Sequence, residues 1–161
     1  MKILHSAQIK EVDSYTMDHE PIHSINLMER AAGQITLWLE DHFDVNRRVC
    51  VFAGPGNNGG DGLAIARQIA ERGYIVEVYL VKISNKLSPD ATINLERLQQ
   101  QNRVKIHHIE EASGLPHMGG NALIIDGLFG SGLNRPLEGF PADVVKHLNG
   151  SRAVRLAIDI P

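Results

Sequence analysis

Val49-Cys50-Val51-Phe52-Ala53-Gly54-Pro55-Gly56-Asn57-Asn58-Gly59-Gly60-Asp61-Gly62 is the stretch on which the fold turns. A short apolar run closed by glycines reads as a buried strand feeding a loop. Ala64 to Arg72 then reads as a helix, stopped by Gly73, a residue suited to the position just past a helix end. Strand, glycine loop and helix thus follow one another between Val49 and Arg72.

The same rhythm continues downstream. Ile75 to Val81 reads as a second buried strand. Ser88-Pro89-Asp90 supplies an N-cap, a proline for the first helical position and an acid for the first turn, and that helix runs to about Gln101. Val104 to Ile109 is a weaker third strand, Ala122 to Asp126 a fourth, Pro141 to Leu148 a short helix, and Ala153 to Ile160 a fifth strand. Strands alternating with helices predict a mostly parallel sheet covered on both faces: an α/β fold, a Rossmann-like three-layer α/β/α sandwich. Two helices precede it. The first runs from Ser6 to about Glu20, where Pro21 breaks it; the second spans Ser24 to Phe43, with Ile25, Met28, Ala32, Ile35 and Leu39 at helical spacing. That stripe reads as core-facing, with a dimer-forming helix pair as the sharper alternative.

Composition narrows the class. The chain has 161 residues, 43% of them hydrophobic, enough for one domain with a real core. Its 16 Lys and Arg against 19 Asp and Glu leave a net charge of −3, which makes nucleic acid a poor partner. No apolar run approaches the ~20 residues of a membrane span. The start, Met1-Lys2-Ile3-Leu4-His5, lacks the apolar centre of a signal peptide. The single cysteine, Cys50, fits a reducing cytoplasm and a small buried hydrophobe. The fifth strand ends at the last residue, Pro161, without a covering helix, so residues 1–161 are expected to be one domain truncated on its C-terminal side.

Three strand ends carry the chemistry: Gly54 to Gly62; Asp126-Gly127-Leu128-Phe129-Gly130-Ser131-Gly132-Leu133-Asn134-Arg135-Pro136; and Asp159-Ile160-Pro161. In a doubly wound sheet the first and fourth strands are neighbours, and ligands bind in the crevice at their carboxyl ends. All three segments are therefore expected in one cleft. Glycine-dense loops offer bare N–H groups to an anion, most simply a phosphate. Carboxylates in the same cleft suit a hydrated cation, a ribose hydroxyl or a reacting proton. Gly54 to Gly59 also matches the G-x-G-x-x-G of hydride-transfer enzymes. The ribose-binding acid expected after the second strand is absent, however: Lys82 stands there, and Glu77 lies mid-strand.

Asn57-Asn58-Gly59-Gly60-Asp61-Gly62, the Asp126 to Leu133 segment, Ala157-Ile158-Asp159-Ile160-Pro161 and the upstream Leu27-Met28-Glu29-Arg30-Ala31-Ala32-Gly33 together resemble the NAD(P)HX epimerase family, the YjeF N-terminal domain. The resemblance spans essentially the whole chain. It implies an isomerase that interconverts the R and S epimers of hydrated NADH or NADPH, so that a dehydratase taking one epimer can repair both. It further implies that Asn57, Asn58, Gly59, Gly60 and Asp61 contact the substrate and that Asn58 and Asp126 hold a potassium ion. Gly130, Ser131, Gly132, Leu133, Asn134, Arg135 and Pro136 would wrap the nucleotide phosphates, and Asp159 would touch the substrate. The family pattern continues past Pro161 with Ser-Gly, whose serine is a further cation ligand, and a C-terminal ADP- or ATP-dependent dehydratase domain can follow. The epimerised carbon bears a hydroxyl beside a ring nitrogen, so Asp126 or Asp159 is expected to shuttle a proton and stabilise positive charge.

Two other readings compete. One is a non-catalytic binding module, since domains of this kind occur in messenger RNA decapping scaffolds and as apolipoprotein-binding proteins. The other is an NAD(P)-dependent oxidoreductase. The eight histidines show no metal-ligand spacing and read as solvated surface. Trp38 reads as core or interface, and Arg135 as a phosphate contact.

Overall fold

A computed structural model describes residues 6–134 and 136–159, the side chains of Ser6 and Lys10 aside. The helices α1 (Ser6–His19) and α2 (Ser24–His42) lead into β1 (Arg48–Ala53), α3 (Asn57–Glu71), β2 (Ile75–Val81), α4 (Pro89–Gln101) and β3 (Lys105–Ile109). A 3₁₀ turn at Ala112–Gly114 follows, then β4 (Leu123–Gly127), α5 (Phe140–Gly150) and β5 (Val154–Ala157). The sheet order is β3-β2-β1-β4-β5, with every pair parallel. β1 and β4 are neighbours in register, Val51 beside Ile125 and Phe52 beside Asp126.

The two faces of β1 build the two halves of the core. Val49, Val51 and Ala53 pack with Leu63, Ile65 and Ile69 of α3, Leu98 of α4, and Ala32 and Leu39 of α2. Cys50 and Phe52 look the other way, towards Tyr79, Ile124 and the α5 residues Val144 and Leu148. The alternation is the period of two that a strand imposes, and β1 is buried on both faces because helices cover both. Cys50 is a small buried hydrophobe whose thiol burial pushes up to about 11.

Local chemistry sets the helix ends. Ser88 Oγ accepts the Ala91 N–H at the start of α4, with Pro89 and Asp90 in the first turn. α3 stops before Gly73, whose φ of 91° suits a residue without Cβ. Three helices meet on one carboxylate: Glu29 of α2 accepts hydrogen bonds from Arg67 and Gln68 of α3 and from Arg97 of α4. Thr36, fully buried on α2, donates to Gln68 Oε1 at 3.1 Å. No helix among the described residues is long and apolar enough to cross a membrane.

Several boundaries differ from the expectations. α3 begins at Asn57 and not near Ala64, so the asparagines and glycines of the motif are helical. β5 is assigned only over Val154–Ala157, and residues 160 and 161 lie outside the described ones. His107 is not solvated surface: it stacks on Tyr79 at 4.7 Å and meets Glu77 Oε2 at 3.0 Å. Trp38 is 42% exposed and stacks on His42.

Candidate active site

α3 starts inside the glycine motif, and close packing explains how. Glycine and asparagine are weak helix formers. A side chain on Gly59 would collide with the backbone of Gly54, and one on Gly54 with the carbonyl of Leu128. Gly60 lies against Met28 of α2 and Ala91 of α4. The first turn of α3 is thus wedged between the β1 loop, the β4 loop and two helices. Gly59 and Gly60 are buried in that packing, while Asn57, Asn58 and Asp61 line an open cleft of about 750 Å³.

The loop after β4 forms another wall of this cleft through Gly130, Ser131, Gly132, Leu133 and Asn134, and Asp159 closes it from beyond β5. These walls are tied together. Asn58 Nδ2 donates to the Phe129 carbonyl at 2.5 Å. The Ser131 N–H donates to Asp159 Oδ2 at 2.6 Å, and a side chain on Gly130 would strike that same carboxylate oxygen. An amide of the glycine loop therefore already meets an anion, the role such loops serve. Parts of all three expected segments converge here: Asn57, Asn58 and Asp61, the Gly130–Asn134 loop, and Asp159.

Asp126 stands apart from them. Its place opposite Phe52 turns it to the α5 side of the sheet, where it lines a second cavity of about 760 Å³ with Arg155 and Val145. Phe129, Gly130, Ser131 and Leu133 line both cavities, so the loop is the partition between them. Asp126 Oδ1 accepts the Leu128 N–H at 3.0 Å. Burial holds its carboxyl above the ordinary value, against the opposing pull of that hydrogen bond. Pro136 lines a smaller hollow with Phe129 and Leu133, and Arg135 lies outside the described residues.

Electrostatics singles out Asp61. Burial first, then the charges of Asp159, Asp13 and Asp90, push its carboxyl up to about 7. Asp13 and Ile9 belong to α1 and also line the cleft. Neither carries a signal in the sequence. Nothing local announces them, since Asp13 sits in a polar helix far from any motif and reaches the site only through tertiary packing.

The acid that a nicotinamide-dependent hydride-transfer site places at the end of the second strand is not there. Glu77 faces the opposite side of β2, held by Arg48 Nε at 2.9 Å, the Tyr79 hydroxyl at 2.8 Å and His107. Lys82, which follows the strand, pairs with Glu110.

With this geometry in view, residues 24–161 match the family described as YjeF-related protein N-terminus. The chain belongs to that family. Two kinds of name occur among its relatives. The NAD(P)H-hydrate epimerase of Limosilactobacillus fermentum is 37% identical over 158 residues, covering 97% of this chain and 72% of that protein. The NAD(P)H-hydrate epimerase of Rhodopirellula baltica is 35% identical, covering 96% of this chain and 62% of its own. The bifunctional NAD(P)H-hydrate repair enzyme Nnr of Thermofilum pendens is 34% identical over 163 residues, and the chain spans 31% of its length. Among solved structures, that of the yeast protein YNL200c is similar over the whole chain and 71% of its own, with a TM-score of 0.77 and 25% identity. In this member of the YjeF-related family, the motif residues Asn57, Asn58 and Asp61 share one cleft with the glycine loop and Asp159.

Proposed function

We propose that the chain is an epimerase acting on hydrated NADH and NADPH, interconverting the R and S forms. The observation that carries this reading is the convergence on one cleft of α3's first turn, the Gly130–Asn134 loop and Asp159. Its size, about 750 Å³, lies within the range of small-molecule and cofactor sites. The names of the epimerase relatives point the same way.

The chemistry asked of the cleft is modest. Loss of the substrate hydroxyl leaves positive charge shared with the ring nitrogen, and carboxylates nearby stabilise it. Re-addition of water on the other face gives the second epimer. Bare amides of the Gly130–Asn134 loop would take the nucleotide phosphates, and Asn57, Asn58 and Asp61 would border the ring.

A potassium ion belongs to the proposal, and the donor set suits one. Asn58 spends its amide nitrogen on the Phe129 carbonyl, which leaves its oxygen as a donor beside the loop. Asp126 keeps one carboxylate oxygen beyond the Leu128 hydrogen bond. A hard cation takes such oxygens. Asn58 and Asp126 would hold it, and its charge would steady the loop partition and offset nearby phosphate.

Partners follow from the relatives. A dehydratase consuming one epimer, fused as in the relatives named bifunctional or separate, would complete the repair. The exposed Leu37 and Trp38 on α2 are the surface we assign to a homodimer, to be checked by sedimentation velocity of wild type against Trp38→Glu. For the activity itself, the protein is given hydrated NADPH with one epimer depleted, and re-equilibration is followed by chromatography. Return to the equilibrium ratio faster than in buffer is expected, and a rate equal to buffer overturns the assignment.

A further inference from the structure

The cleft gathers carboxylates from three separate parts of the chain: Asp13 on α1, Asp61 on α3 and Asp159 beyond β5. No Lys, Arg or His lines it among the described residues. Asp90, at the start of α4, adds a fourth negative charge to the surroundings of Asp61 and is itself engaged by the Ser24 hydroxyl at 3.2 Å. Like charges crowded into a partly desolvated site cannot all ionise, and a shared proton relieves the crowding. The three do not gather on one point: no group of three or more His, Cys, Asp or Glu among the described residues is arranged to hold a metal ion.

Of the three, Asp61 is the one a proton should occupy. It alone is half-buried, within α3, whereas Asp13 and Asp159 are exposed. Asp159 already accepts the Ser131 N–H at 2.6 Å, so one of its oxygens is engaged. The direction of the Asp61 shift, up to about 7, agrees.

An epimerase that moves a hydroxyl from one face to the other needs an acid for the departing group and a base for the entering water. We propose that Asp61 is the catalytic acid that protonates the departing hydroxyl, and that Asp13 is a positioning residue, brought over the cleft by α1, whose charge keeps that proton on Asp61. The inference rests on the epimerase reading. In the first step the carbon–oxygen bond breaks, the hydroxyl leaves as water with the Asp61 proton, and the nitrogen lone pair forms the carbon–nitrogen double bond. In the second, water adds to the opposite face, the double-bond pair returns to nitrogen, and the surplus proton passes to the Asp159 carboxylate. One proton is given and one received, so the carboxyls are restored by exchange with solvent.

The test compares wild type, Asp61→Asn, Asp13→Asn and Asp13→Glu in the epimer re-equilibration assay across pH. Wild-type kcat/KM should fall as pH rises through about 7, where the free Asp61 loses its proton. Asp61→Asn should lower kcat about a hundredfold, the usual scale for an acid–base group. Asp13→Asn should move the falling limb to lower pH, because removing a like charge makes Asp61 a stronger acid. Asp13→Glu should return it towards the wild-type position. A second readout needs no substrate: carbon NMR of labelled aspartate carboxyls should show one group titrating near neutrality in wild type and at lower pH in Asp13→Asn. If wild type is active but Asp61→Asn stays within a few-fold of it, or the Asp13→Asn limb does not move, the inference is overturned while the epimerase reading stands. If wild type does not epimerise the substrate, that reading fails; the carboxyl titration then still decides whether Asp61 holds a proton against Asp13. Should Asp61→Asn fail to fold, an unmoved NMR midpoint in Asp13→Asn overturns the proposal by itself.

Discussion

At the residue scale, the glycines of the motif divide by what a Cβ would meet. Gly59 has no room, since a Cβ there would strike backbone atoms of Gly54, whereas Gly56 and Gly132 face open space. Backbone cannot step aside as a flexible side chain can. Gly59→Ala is therefore expected to lower stability by about 1–3 kcal/mol, the cost of overpacking, while Gly132→Ala leaves it nearly unchanged. Thermal unfolding of the two variants checks this, and equal melting temperatures would show that the first turn of α3 can relax away from β1. Asp126 poses a different question, because it lies behind the loop and outside the cleft. Asp126→Asn is nearly isosteric at a strand end and should fold as wild type, yet epimerase activity should fall about a hundredfold if its charge serves the site. Restoration of that loss by high potassium would assign Asp126 to the cation; no restoration would return it to proton transfer.

Elements show where sequence was legible and where it was not. β2 spans the same Ile75–Val81 that its apolar run predicts, and α4 starts at its Ser88-Pro89 cap, because both signals are local. α3 starts seven residues before the Ala64 that the sequence predicts, since propensity argues against a helix through Asn57-Asn58-Gly59-Gly60 and only the packing of Gly54, Gly59 and Gly60 creates one. The same local bias hides Asp13, which lines the cleft only because the fold carries α1 to it. His107 departs from the expected solvated surface because its partners, Glu77 and Tyr79, come from the neighbouring strand, thirty residues back in sequence for Glu77. The helix layer carries a testable joint at Glu29. Burial raises its carboxyl, but hydrogen bonds from Gln68, Arg67 and Arg97 and the charge of Arg67 outweigh that and hold it below the ordinary 4.5. Glu29→Gln should destabilise the fold at neutral pH by leaving two arginines without their shared acceptor. The deficit against wild type should shrink as pH drops below 4.5, because protonation of Glu29 in the unfolded chain removes the carboxylate's share of the stability.

Across the whole molecule, opposing shifts predict a stability optimum on the acid side of neutrality. Glu77 is held down to about 2, chiefly by the Arg48 hydrogen bond, and Glu29 is also lowered. Groups lowered in the folded state stabilise it above their unfolded value, and that contribution is lost as pH falls from about 4.5 towards 2. Asp61 works in the other direction. Raised from 3.8 to about 7, it favours folding fully only below 3.8, and the advantage is lost as pH rises through about 7. The melting temperature should therefore peak between these limbs and decline on both sides. Calorimetry across pH resolves the two causes: Glu29→Gln should flatten part of the acid limb alone, and Asp61→Asn should flatten the neutral limb alone. Above pH 7, Asp61→Asn should melt at higher temperature than wild type, because a buried charge crowded by Asp159 and Asp13 has been removed. A gain in stability joined to a loss of epimerase activity is the signature of a group kept for chemistry at a cost to the fold. A neutral limb unchanged by Asp61→Asn would mean that this carboxyl ionises freely, and the crowding inferred from the cleft would be wrong.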